Sequence, residues 1–137
     1  MRRLTLLLAL LAALALAGCG QASSESSADK FKGDQKAVAE VVENLQDAGE
    51  RKDAERICND ILAPSLVAQV KAAGSDCAAQ MKASLDDADE YELQVESVTV
   101  RGDRAEAEVK GKGSETATMA LVKERGGWRI ADLGAPA

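Results

Sequence analysis

From residue 34 onward, apolar side chains recur at helical spacing. Val38, Val41, Val42 and Leu45 follow the i, i+3, i+4, i+7 rule that gathers side chains on one face of an α-helix, with Asp34 as a start signal and Gly49 placed to stop the run. A second series, Ala54, Ile57, Cys58, Ile61 and Leu62, ends at Pro64. Leu66, Val67 and Val70 make a third short helix closed by Gly74, and Ser75 or Asp76 can cap a fourth that carries Cys77, Met81 and Leu85 on one face. At Tyr91 the helical period gives way to alternation. Tyr91, Leu93 and Val95 alternate with Glu92, Gln94 and Glu96, then the phase slips at Ser97 and resumes as Val98 and Val100, which predicts a strand bent by a β-bulge. Gly102-Asp103 suits a two-residue hairpin turn. Ala105, Ala107 and Val109 share one face of a second strand, and the glycines at 111 and 113 and at 126 and 127 divide the rest into strands over 116–123 and 128–133.

Helices followed by a four-strand meander predict an α+β fold, with N-terminal helices packed on one face of a curved antiparallel β-sheet. The last turns are too short for parallel crossovers. With one Trp, one Tyr and one Phe in 137 residues, the core must be built from Val, Ile, Leu, Met and Ala and is correspondingly thin.

Ahead of the domain the pattern is different. Arg2-Arg3 is a short positive segment, and residues 4–16 form a Leu/Ala-rich apolar run too short to span a bilayer of about 30 Å but suited to a cleaved signal. It ends in Leu16-Ala17-Gly18-Cys19, which resembles the lipobox of bacterial lipoproteins at all four positions. The resemblance implies cleavage before Cys19 and a diacylglyceryl group on its thiol, and two acyl chains hold a protein on a membrane where one does not. Residues 21–29, rich in Ser, Ala and acidic side chains without hydrophobic periodicity, read as a flexible tether. The expected organisation is therefore a signal peptide over 1–18, lipidated Cys19 and tether over 19–33, and a domain over 34–137. The protein is expected to be extracytoplasmic and held by lipid to the bacterial cell membrane or envelope.

Composition narrows the chemistry. The chain has no His, which removes the commonest general base, the commonest zinc ligand and every Ser-His or Cys-His pair. Its formal charge is −6, two units more negative once Arg2 and Arg3 leave with the signal. An acidic surface without basic clusters among aromatics repels phosphate backbones, so no nucleic-acid partner is expected. Neither a cofactor nor a metal site is expected.

The ending Leu121-Val122-Lys123-Glu124-Arg125-Gly126-Gly127-Trp128-Arg129-Ile130-Ala131-Asp132-Leu133, taken with the order of elements, resembles the nuclear transport factor 2-like superfamily. The resemblance spans roughly residues 34–134 and implies a cystatin-like cone of helices on a curved sheet, with Trp128 and Ile130 filling it. Two features depart from the family pattern. Where its members place a strand between the second and third helices this chain reads as helix, and the acid and base groups of its isomerases and dehydratases have no counterpart.

Cys58 and Cys77 remain as an even pair in an oxidising compartment, and a disulfide is the natural reading, with two buried free thiols as the alternative. A carboxylate base facing a Tyr donor would need Tyr91 and a neighbour. The acids around it read as a solvated loop, and Asp132, in phase with Trp128 and Ile130, reads as a strand-end carboxylate with a local hydrogen bond. No catalytic residue is named. The expected function is a non-catalytic binding or interaction module at the envelope, with a small apolar ligand or an envelope protein as partner. Trp128, Met119, Ile130 and Tyr91 are its candidate cavity lining, and an isomerase or dehydratase is the remaining alternative.

Overall fold

The computed structural model describes residues 26–135. The signal segment and Cys19 lie outside the described residues. The fold is α+β, with α1 (Gly33–Glu50), α2 (Ala54–Arg56, continued by a π-helical turn Ile57–Ile61), α3 (Pro64–Ala72) and α4 (Cys77–Asp87) preceding β1 (Leu93–Arg101), β2 (Arg104–Gly111), β3 (Thr116–Glu124) and β4 (Gly127–Asp132). The strands form one antiparallel sheet in the order β1-β2-β3-β4. Among the described residues no helix is long and apolar enough to cross a membrane.

The apolar stripe of α1 accounts for its position. Val38, Val42 and Leu45 are fully buried and belong to one cluster with Val95, Val98, Ala105, Ala107, Val109, Met119, Leu121, Trp128 and Ile130, the inward side chains of the four strands. The opposite sheet face carries Glu106, Glu108 and Thr118 in the open. The bulge expected near Ser97 is present, with the β1–β2 register shifting between Val95 and Ser97. A second bulge escaped the sequence reading. Leu121 pairs with Ile130 but Ala120 pairs with Asp132, so Ala131 is the extra residue and Asp132 turns away from the face of Trp128 and Ile130.

Both sheet edges are occupied by groups that are not strands. Along β1, Gln35 Nε2 donates to the Val98 carbonyl at 2.8 Å and Gln46 Oε1 accepts from Leu93 N–H at 2.9 Å. Along β4, Ala63 N–H donates to the Ile130 carbonyl at 2.7 Å, Leu62 forms a single parallel bridge with Ile130, and Arg129 reaches the Asn59 carbonyl at 2.7 Å.

The start of the domain differs from expectation. Residues 26–29, read as tether from their composition, are ordered: Ser27–Lys30 forms a 3-10 turn with Ala28 buried against the core. The cause is Glu43, whose carboxylate accepts from Ser26 Oγ at 2.6 Å, Ser27 Oγ at 3.1 Å and Ala28 N–H at 2.9 Å. The folded unit thus includes residues 26–33, ahead of the expected start at residue 34. Asp34 does not cap α1 either, since the helix begins at Gly33 and Lys32 supplies no side-chain cap. The Asp34 carboxylate instead lies 3.0 Å from Lys123 Nζ and 3.5 Å from Trp128 Nε1. The hydrogen bonds from Lys123 and Trp128 hold it below the usual carboxylate range.

Candidate functional site

Of the four helices, α3 and α4 are the least buried. Pro64 opens α3 at a position where its missing N–H costs nothing, and none of the side chains of α3 is fully buried. α4 begins with a cap, the Asp76 carboxylate accepting from Ala79 N–H at 2.9 Å. The Cys58–Cys77 disulfide, Cα to Cα 6.1 Å, ties the first residue of α4 to the π-helical turn. The pair expected from the sequence is therefore formed.

Between α3, α4 and the chain after β4 lies a groove of 250 Å3. Leu62 and Leu85, both buried, form its floor, and Leu66, Val70, Met81 and Leu133 its walls. Gln80 and Ser84 stand along the groove as its polar groups. Tyr91 stands at one end. Its ring lies flat on Gly49 of α1, where a Cβ would sit on the ring atoms, 2.7 Å from Cε1, so glycine there is a packing requirement. Burial pushes the Tyr91 phenol above its ordinary pKa.

Of the four side chains expected to line a cavity, Tyr91 lines this groove. Met119, Trp128 and Ile130 are 5%, 6% and 0% exposed and sit inside the core cluster. Ala105 and Ala107, on the inward face of β2, are buried in the same cluster with the side chains of α1. The concavity lies on the far side of Leu62 instead. Asp132 is exposed and accepts from Gly134 N–H at 2.8 Å, the local hydrogen bond that its place near the strand end suggested.

Past Tyr91 and Leu85, which it shares with the groove, a second depression of 490 Å3 runs between the ends of α1 and α4. It is lined by Glu50, Asp89, Glu90 and Glu92, with Lys52 as its one basic side chain among the described residues. Lys52 is paired with Asp86 at 3.4 Å and Glu90 with Lys112, whereas Glu50, Asp89 and Glu92 have no ion pair among the described residues. Sequence reasoning passed over this acidic run as a solvated loop and missed the groove. The signal available was α3 itself, whose Leu66, Val67 and Val70 form an apolar face on a helix of only 9 residues.

No three His, Cys, Asp or Glu side chains converge as a metal site among the described residues. Comparison of the chain with protein-family models, with curated proteins and with solved structures gave no match.

Proposed function

We propose that this protein is a lipid-anchored extracytoplasmic lipoprotein whose single domain, of nuclear transport factor 2-like type, is a non-catalytic binding module that takes an apolar group into the groove between α3 and α4. The observation that carries this reading is the groove: a concave apolar surface with two amide and hydroxyl side chains beside it is how proteins hold small apolar groups. The Leu62–Ile130 bridge supports the assignment of type, because it lies where members of that superfamily place a strand between the second and third helices. Binding rather than catalysis is favoured because the one phenol in the groove is raised by burial alone, with no carboxylate hydrogen-bonded to it. The anchor is proposed from Leu16-Ala17-Gly18-Cys19, and it confines a binding module close to the membrane without any need for turnover.

Two measurements test the reading separately. Mass spectrometry of the mature chain from its native host should find a diacylglyceryl group on Cys19, and Cys19→Ser should release the protein from membranes. An unmodified Cys19 or unchanged retention refutes the anchor. For the groove, the full chain carrying 13C-methyl Met is reconstituted in phosphatidylcholine nanodiscs and titrated with N-phenyl-1-naphthylamine. The Met81 methyl should shift saturably while the Met119 methyl, sealed in the core, stays put. A shift of Met119 without Met81, or no saturable shift, refutes the groove as the binding surface.

A further inference from the structure

The groove and the acidic depression are two halves of one track. Cys77, Met81 and Leu85 recur every fourth residue along α4, so they line about 12 Å of wall at 1.5 Å rise per residue. Beyond Leu85 the same track passes Tyr91 and becomes acidic at Glu50, Asp89 and Glu92. Apolar side chains are thus followed, in one direction, by carboxylates without an ion pair among the described residues, Glu50 accepting only from Gln46 Nε2 at 3.0 Å.

Helix ends deepen the negative half. α1 finishes at Glu50 and α4 at Asp86-Asp87, and neither helix has a basic residue in its last turn. The carbonyl end of a helix carries partial negative charge and is stabilised by cations. Here two such ends meet at one depression, dressed with further acids. Lys52, two residues past the end of α1, pairs with Asp86 in the last turn of α4 and offsets part of this charge, while Glu50, Asp89 and Glu92 keep no ion pair among the described residues and favour further positive charge beside them.

Resting on the groove reading above, we propose that this track is a docking site for a peptide segment in which an apolar face of about two helical turns is followed by a cluster of basic residues. The groove has room for the larger side chains of such a face, which would lie along α4 as one helix lies along another. The Lys or Arg cluster then reaches Glu50, Asp89 and Glu92. Charge complementarity sets the polarity of the partner and excludes phosphate-bearing ligands, which the carboxylates repel.

The test uses the full chain in phosphatidylcholine nanodiscs and the Met81 and Met119 methyls as reporters. Three synthetic peptides are compared: acetyl-Leu-Ala-Ala-Leu-Leu-Lys-Lys-Lys-amide, its counterpart with Glu for each Lys, and its counterpart with Ser for each Leu. The Lys peptide should move Met81 saturably, bind at least tenfold more tightly than either counterpart, and weaken as salt is raised. The triple substitution Glu50→Gln, Asp89→Asn, Glu92→Gln touches only exposed side chains. It should weaken the Lys peptide about tenfold, as expected for three surface ion pairs, while leaving N-phenyl-1-naphthylamine binding unchanged. Equal affinity for the Lys and Glu peptides, indifference to the triple substitution, or no saturable Met81 response to the Lys peptide overturns the proposal. If the naphthylamine still binds in those cases, the groove reading stands and only the basic partner is lost. If neither probe binds, both fall.

Discussion

Removing the Cys58–Cys77 bond isolates the contribution of covalent closure in a domain with little apolar cover over its α3–α4 layer. The cysteines are 19 residues apart, and closing a loop of that size stabilises by about 3 kcal/mol in the chain-entropy model. A domain of this size has a total stability of about 5–15 kcal/mol, so the bond is a large share of it. The double variant Cys58→Ala/Cys77→Ala should lose about 12–24 °C in Tm, since each kcal/mol moves the Tm of a domain of about 60–100 residues by about 4–8 °C. The loss should also be uneven. α3 has no fully buried side chain, and Leu85 is the only one in α4. Amide hydrogen exchange should therefore speed up first across residues 64–87, while β2 and β3, in the middle of the sheet, keep their protection. Calorimetry and exchange mass spectrometry on the oxidised parent and the double variant measure both. A fall in Tm below about 3 °C, or exchange that rises equally in the sheet and the helices, refutes the claim that the bond holds the α3–α4 layer in place.

Gly49→Ala places a methyl on the Tyr91 ring and should cost about 1–3 kcal/mol by overpacking. It should also bring the alkaline titration of Tyr91, followed by ultraviolet absorbance, down toward the ordinary phenol value. Because burial raises the Tyr91 pKa in the folded state, the parent protein should be indifferent to this group below the unfolded phenol value of about 10 and lose stability as pH rises from there through the folded value. Glu43→Ala leaves Ser26, Ser27 and Ala28 N–H without their acceptor, and trypsin should then cut at Lys30 and Lys32 well before it attacks the parent. The Asp34 carboxyl is lowered on folding, so it contributes stability above the unfolded carboxylate value that is lost as pH falls through it and on to the folded value. Asp34→Asn should flatten that acid limb and leave the melting curve near neutral pH little changed in shape. Trp128→Ala removes the largest core side chain and should cost about 3–5 kcal/mol, with no change in naphthylamine affinity in the fraction that remains folded.

The alternations that set the sheet were legible because strand periodicity is local. Ala105, Ala107 and Val109 declare their face within five residues, and the slip at Ser97 is written in the sequence as two adjacent polar positions, Glu96 and Ser97. The second bulge was not, since Ala131 fits either face of a strand and nothing in the composition marks the extra residue. The tether boundary failed for a related reason. Ser26 and Ser27 are disorder-promoting by composition, and their partner Glu43 is 16 or 17 positions away. Gly49 showed itself as a helix stop but acts as the seat of the Tyr91 ring, a contact across the fold that no window of sequence contains. The groove was misplaced because Met119, Trp128 and Ile130 were read as its lining, whereas they pack into the core with the side chains of α1. The emptier place lay between two short helices whose exposure no periodicity states.

The glutamines at the border of β1 and the Leu62-Ala63 segment at the border of β4 bear on crowding. Proteins held on a surface meet one another far more often than the same number in solution, and such encounters favour any strand able to recruit another. Here Gln35 and Gln46 engage backbone groups of Leu93 and Val98 that a neighbouring strand would need, and Ala63 N–H does the same at Ile130. A copy drifting alongside finds interrupted ladders on both flanks. Under the proposed lipid anchor, such a domain packs densely without its sheets joining edge to edge into fibrils, which leaves the α3–α4 side for contacts that depend on side-chain chemistry.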